Sequence, residues 1–338
     1  MDKVEKTEKT EKAEQTGNTN MNVSFSPHIR GKSTTSRIML DVVIALCPAL
    51  IASIVIFGAR AALVVFVCVA VCVLSEWAYE KALKKENTIK DFSACITGIL
   101  LAFNLPVGIP LWQAAFGSVV AIIFVKQLFG GLGKNFANPA ITARVIMFLA
   151  FSSTMTTWVQ LPDSIAGATP LVLLGKGEFD LLPGMWNMII GTRGGCLGET
   201  SALALAIGGV YLLVRRVITW HIPVTYIGTV VVLTAIFGEQ PLYHMFAGGL
   251  FLGAIFMATD YVTSPQTKLG RVIFGVGAGI FTVLIRLYGS YPEGVSFAIL
   301  LMNIVVPYIN RFTLTKPLGA KKVEKAKDNA KKEAKGTK

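Results

Sequence analysis

Asp91-Phe92-Ser93-Ala94-Cys95-Ile96-Thr97-Gly98-Ile99-Leu100-Leu101-Ala102-Phe103, closed by Asn104-Leu105-Pro106, is an apolar run too short for the bilayer it has to cross. About 13 residues at a rise of ~1.5 Å reach roughly 20 Å, against a hydrocarbon core of about 30 Å. Asn104 to Pro110 must then continue at depth as irregular backbone, which is tolerated only where protein or a polar cavity covers it. The other reading is an ordinary tilted helix that begins a turn earlier. A bilayer is the right frame because hydrophobic residues make up 53% of the 338 residues, charged residues only 15%, and mean hydropathy is +0.59. A soluble domain of this length needs more charge to cover its surface.

The run has a counterpart. Met245 to Ala258 is equally rich in small residues, stops at Thr259-Asp260, and has Thr263-Ser264-Pro265 close behind. Apolar periodicity predicts helices over 38–57, 61–80, 91–103, 111–129, 139–152, 199–217, 222–238, 242–259, 271–288 and 294–311. The two interrupted runs are then the third span of each half. Five spans per half is an odd number, so the second copy must be inverted. The expected fold is an all-α integral membrane protein of about ten transmembrane helices, in two inverted five-helix repeats with interrupted third and eighth helices. Its parts are a basic tail over 1–37, a first repeat over 38–152, a loop over 153–198, a second repeat over 199–312 and a basic tail over 313–338.

Charge orients this scaffold. All but four of the 32 Lys and Arg fall in the tails or in connections on the side of the termini; the exceptions are Arg60, Lys176, Arg193 and Arg286. By the positive-inside rule both termini are cytoplasmic and the 153–198 loop lies outside. The net charge of +12 does not indicate nucleic-acid binding, because the low-complexity tails carry about half of the basic residues. Such tails are disordered or frayed helix at the membrane surface, suited to anionic lipid or partner subunits. No cleavable signal peptide is expected, since the first apolar run begins near Ile38 and acts as a retained anchor. The five cysteines form no C-x-x-C pair, and Cys68 with Cys72 on one helix face is a weak metal site.

Four places carry chemistry. Gly130-Gly131-Leu132-Gly133-Lys134-Asn135 is a glycine turn at the cytoplasmic interface, but its spacing is not that of a P-loop. Asn138-Pro139 reads as an N-cap followed by proline at the first helical position. One reading is a re-entrant turn that opens the fifth helix; the other has the amides there, with Lys134, Asn135, Asn138 and Arg144, holding a planar polar ligand between the halves. Asp260 either coordinates an ion or ligand or caps the interface in cytoplasmic water. Asp41, Glu76 and Glu80 are expected to snorkel from span ends, and no chain of acids crosses the membrane to form a proton wire. His28, His221 and His244 stand apart, and the five tryptophans fall near span ends as an aromatic belt does.

The fourth place is Asp163-Ser164-Ile165-Ala166-Gly167-Ala168-Thr169-Pro170, in the only long hydrophilic connection. Thr169 behind small residues reads as an exposed acceptor for an attached group, with Asp163 either a handle for the attaching enzyme or the residue that orients the turn. An ordinary loop turn is the competing reading.

Together these residues resemble the RnfD/NqrB family, the membrane proteins shared by the Rnf complex and the sodium-pumping NADH:quinone reductase. The likeness runs from Arg37 to Arg311 and rests on Gly130 to Ala140, on Ala258-Thr259-Asp260 with Thr263-Ser264-Pro265, and on Asp163 to Thr169. Ala166 departs from the Ser or Thr usual in the family's flavinylation motif, while Gly167, Ala168 and the acceptor are kept. Modest length favours the Rnf member. The resemblance implies FMN joined to Thr169 through its phosphate and a non-covalent riboflavin near the cytoplasmic side. It also implies electron transfer between ferredoxin and NAD coupled to Na⁺ or H⁺ transport. The partners would be a second covalent-flavin protein and iron–sulfur proteins of the same complex. A secondary transporter or channel, or a passive docking protein, would share the scaffold without the covalent flavin.

Overall fold

The computed structural model describes residues 34–85, 87–160, 165–166, 169–191, 194–199, 201–289 and 294–314. Of the expected tails, residues 1–33 and 315–338 lie outside the described residues, as do Asp163, Gly167, Ala168 and Arg193. The described chain is helical apart from a two-residue antiparallel pairing of Val159–Gln160 with Ile165–Ala166.

Four helices are long and apolar enough to cross a membrane: α1 (Thr35–Phe57), α2 (Ala59–Ala82), α9 (Lys268–Tyr288) and α10 (Val295–Thr313). Between them come α3 (Ser93–Phe103), α4 (Leu111–Val119, running on as a wider π-helix through Val120–Gln127), α5 (Pro139–Ala150), α6 (Ala202–Val214) and α7 (His221–Ile236). The segment α8 (Pro241–Phe246) breaks at residues 247–249 and resumes as Leu250–Leu252 and a π-turn over Gly253–Met257.

Several helices are shorter than the sequence periodicity predicts, and burial gives the reason. In α3 all residues but Cys95 are buried, and most of α5 is too. A helix surrounded by protein need not match the bilayer thickness, because its ends are covered by neighbours instead of lipid. The break in α8 also falls before the expected stop at Thr259, at Ala247-Gly248-Gly249, where Gly248 has φ +64°.

The irregular backbone after α3 is covered, as its depth requires. The 153–198 connection does not stay outside the core: its last residues turn inward and pair with that backbone. Leu197 N–H donates to the Leu105 carbonyl at 3.0 Å, and Gly198 N–H to that of Phe103 at 2.9 Å. Close helix approaches rest on small residues, as within a bilayer where lipid is as apolar as leucine. A Cβ added at Gly98 would stand 2.7 Å from the Val69 Cα of α2.

Candidate functional site

The first turns of α1 and α3, the glycine turn before α5 and the end of the α8 segment enclose one cavity. Its lining includes Ser93, Thr97, Lys126, Asn135, Asn138 and Asp260. Ile96, Leu100, Leu212 and Phe256 supply apolar walls, the usual make-up of a site for a planar ligand. The volume is about 100 Å³. That is below the ~300–1,000 Å³ of typical ligand pockets, and half-buried Met39, Leu132 and Val262 stand in its wall.

Local chemistry places the two asparagines. Gly130, Gly131 and Gly133 have φ of +111°, +89° and +90°, a region side chains make costly, so the chain reverses tightly here. Asn138 then caps α5, its Oδ1 accepting from Ala140 N–H at 3.0 Å and Ile141 N–H at 3.4 Å. Its Nδ2 donates to the Met257 carbonyl at 3.4 Å, tying the start of α5 to the end of the α8 segment. Asn303 of α10, with its amide turned to suit both neighbours, donates to the Thr263 carbonyl at 3.1 Å and accepts from Asn138 N–H at 3.2 Å. Asn303 carried no sequence signal.

The four residues expected around a ligand here do not all meet. Asn135 and Asn138 line the cavity, Lys134 is exposed, and Arg144 turns away. The Arg144 guanidinium is buried and donates to Asn104 Oδ1 at 2.7 Å, Ser296 Oγ at 3.0 Å and Cys196 Sγ at 3.4 Å. Arg144 is five residues into α5, about 7.5 Å along its axis from Pro139. It holds the α3 terminus, α10 and the inward-turned loop together.

Asp260 stands in the cavity wall just after the α8 segment. Its Oδ2 accepts from Thr263 Oγ1 at 3.0 Å and its Oδ1 from Val262 N–H at 3.5 Å, so it shapes its own turn while lining the cavity. Burial pushes its carboxyl above the ordinary value of 3.8, against the Thr263 and Val262 hydrogen bonds that pull it down.

Glu76 and Glu80 do not snorkel; both are buried. The π-helical end of α4 aims Lys126 inward, where Nζ donates to Glu76 Oε1 at 2.6 Å and Ser93 Oγ at 2.8 Å. Gln127 Nε2 reaches the same Glu76 oxygen at 2.9 Å, and so does Thr88 Oγ1 at 3.1 Å. Thr88 also bonds Glu80 through both its hydroxyl and its N–H. An acid on a 24-residue apolar helix was the signal for this network, and a charge inside a span is expected to find a partner there.

At the other end, Arg286 of α9 is buried and donates to the carbonyls of His244 at 2.6 Å and Ala247 at 2.9 Å. These carbonyls lie at the break in α8, where the regular helix leaves them without helical partners. Leu171, two residues after Thr169, packs with Leu174, Met188 and Ala247 against this break.

Thr169 is buried at 3% exposure, which corrects the exposed turn expected of it. Its Oγ1 has no hydrogen-bond partner among the described residues, although Thr169 stands at the cap of the short helix Pro170–Lys176. A buried hydroxyl without a partner costs ~1–3 kcal/mol, and an ester at that oxygen removes the orphan donor. The acceptor therefore fits a phosphoester chemically, provided the loop opens for attachment. Of the tryptophans, Trp77, Trp112, Trp186 and Trp220 are exposed as a belt requires, whereas Trp158 is buried.

Known proteins share this sequence over most of its length. A model of the family described as NQR2, RnfD, RnfE matches residues 22–319. The chain is 47% identical over 310 residues to the D component of the Na(+)-translocating ferredoxin:NAD(+) oxidoreductase complex of Acetobacterium woodii, covering 90% of this chain and 98% of that relative. It is 43% identical over 319 residues to the D component of the proton-translocating ferredoxin:NAD(+) oxidoreductase complex of Clostridium ljungdahlii, covering 89% and 96%. The D component of an ion-translocating oxidoreductase complex from Stutzerimonas stutzeri is 38% identical over 321 residues, covering 83% and 91%.

Proposed function

The chain belongs to the NQR2, RnfD, RnfE family, and from that premise we propose that it is the membrane flavoprotein of an ion-translocating ferredoxin:NAD(+) oxidoreductase complex. It sits in a bacterial cytoplasmic membrane with both termini inside, as ten spans in two inverted halves, and carries FMN on Thr169 at the outer face. Riboflavin occupies the cavity lined by Asn135, Asn138 and Asp260. Asp260 lies on the ion path. The ion is Na⁺ or H⁺, the two named for relatives 47% and 43% identical. Ferredoxin, NAD and iron–sulfur chemistry belong to partner subunits, one of which carries a second covalent flavin.

What supports the inverted halves is a matched pair of buried cations. Lys126 ends the fourth segment of the first half and bonds Ser93 of the third; Arg286 ends the fourth segment of the second half and bonds carbonyls of its third. In the proposed topology they fall on opposite sides of the membrane, as inversion demands.

The observation that carries the flavin reading is the buried Thr169 hydroxyl, without a hydrogen-bond partner among the described residues, in a family-like sequence context. When bound, an isoalloxazine accepts one or two electrons, and the protein's part is to place it and tune its surroundings. Ile96, Leu100 and Phe256 give the cavity apolar walls for a ring to lie against, while Asn135 and Asn138 supply polar atoms to orient it.

In-gel fluorescence of the denatured chain, co-expressed with a flavin transferase, tests this directly. A fluorescent band that disappears in Thr169→Ala and persists in Thr169→Ser is expected. A dark parent band sinks the covalent assignment and favours a transporter or docking protein that uses the same scaffold.

A further inference from the structure

The buried polar cluster between α2 and the end of α4 reaches from the surface to the central cavity without a gap. Residues 81–85 and 87 are exposed. Glu80, just beneath them, bonds Thr88; Thr88 bonds Glu76 at 3.1 Å; Glu76 bonds Lys126 at 2.6 Å; Lys126 bonds Ser93 at 2.8 Å. Lys126 and Ser93 both line the cavity.

Thr88 is the junction of the chain, and the relay places one proton between it and Glu80. The Thr88 hydroxyl has one hydrogen yet contacts a carboxyl oxygen of both Glu76 and Glu80. If both carboxyls were ionised, one contact would set oxygen lone pairs against each other. Glu76 Oε1 already accepts from Lys126 and Gln127, which marks it as the ionised member. Glu80 is then the neutral acid. Its O–H donates to Thr88 Oγ1, its Oε2 accepts from Thr88 N–H at 3.1 Å, and the Thr88 O–H donates to Glu76. Each of these contacts then has its own hydrogen, while the buried Glu76 Oε2 has no partner among the described residues.

Resting on the reading of the cavity as a flavin site, we propose that Glu80, Thr88, Glu76, Lys126 and Ser93 relay protons from the aqueous face to the ligand in that cavity. Glu80 gives its proton to Thr88 as Thr88 gives its own to Glu76. The Lys126 ammonium gives a proton to Ser93 as Ser93 releases its own into the cavity, and Glu76 returns the proton it gained to Lys126. A hydronium ion from the aqueous face reprotonates Glu80, leaving water. The net change is one proton moved inward, matching the negative charge of an electron that reduced ferredoxin delivers to the ring through the partner subunits. Other titratable groups around the relay are the thiols of Cys72 and Cys95 and, across the cavity, Asp260. Lys81 and Lys85 lie over Trp77 and Tyr79 on the exposed side, Lys90 is exposed, and Asp91 takes a hydrogen bond from Ser36.

The relay does not cross the membrane: its acids, Glu76 and Glu80, lie on one helix and are joined by Thr88 and Lys126 rather than by further carboxylates.

The test uses the intact complex with Glu80→Gln, Thr88→Val and Thr88→Ser. The infrared spectrum at neutral pH should contain a neutral carboxylic-acid carbonyl band that Glu80→Gln removes, a readout independent of turnover. Proton uptake by an indicator dye after mixing with reduced ferredoxin should slow on the order of 10²-fold in Thr88→Val and Glu80→Gln, and recover in Thr88→Ser. A spectrum unchanged by Glu80→Gln overturns the stored proton. Acid extraction of non-covalent flavin from the same preparation separates the remaining failures. An extract without flavin sinks the cavity reading; flavin present with parental uptake in Thr88→Val sinks the relay.

Discussion

Lys126 Nζ lies 2.6 Å from Glu76 Oε1, with the two side chains only 2% and 0% exposed. Deleting one partner of such a pair leaves a buried charge uncompensated, at a cost of about 3–5 kcal/mol. Lys126→Met and Glu76→Leu should each lower the unfolding temperature in detergent sharply, and the double variant should recover most of that loss. If a single variant fails to accumulate, yield in the membrane fraction ranks the three in the same order. Additive losses in the double variant would show that the ion pair does not couple these residues.

The Thr169 hydroxyl gives an effect of opposite sign. Thr169→Val keeps the shape and removes an unpartnered buried polar group, so the chain made without a flavin transferase should gain about 1 kcal/mol in stability. The same substitution should abolish fluorescence when the transferase is present. Greater stability with no attachment marks a site whose hydroxyl serves chemistry at the expense of packing. A loss of stability would show that the hydroxyl has a structural partner.

How far the sequence showed these features depended on whether the signal was local. The Asn138-Pro139 cap, the glycine turn and the short α3 were legible because capping, left-handed backbone and run length are properties of neighbouring residues. The break at Gly248, the inward return of Cys196 to Gly198 and the destination of Arg144 depend on residues far apart in the chain. Glu76 was visible as a charge in an apolar run, but its partner Lys126 is 50 positions away, so snorkelling was the simplest local reading. Thr169 was singled out by its neighbours, yet its burial comes from packing that the motif does not encode.

Asn138 does two things that one substitution separates. Asp caps a helix as well as Asn, so Asn138→Asp should leave the start of α5 intact. It cannot donate to the Met257 carbonyl, and it sets an acceptor against one. The expected result is a folded chain with unchanged helical content and covalent fluorescence, but with non-covalent flavin lost during purification. Loss of helix stability equal to that of Asn138→Ala would show that capping is its whole role.

Asp260 offers a test in pH and a test in coupling. Its unfolded carboxyl titrates near 3.8 and burial raises the folded one above that, so between the two values the folded chain binds more protons. Unfolding free energy from this group is therefore highest below 3.8 and falls as pH rises through the folded value. Asp260→Asn removes this dependence, so the stability advantage of the variant over the parent should grow with pH and level off above the folded value. An advantage that shrinks as pH rises would show that the ionised carboxylate is stabilised in the fold. In proteoliposomes of the complex, the same variant should lower the number of ions moved per electron, because the cavity loses its ionisable oxygen while Asn135 and Asn138 keep their places. An ion-to-electron ratio equal to that of the parent would remove Asp260 from the ion path and leave it as the cap of the Thr263 turn.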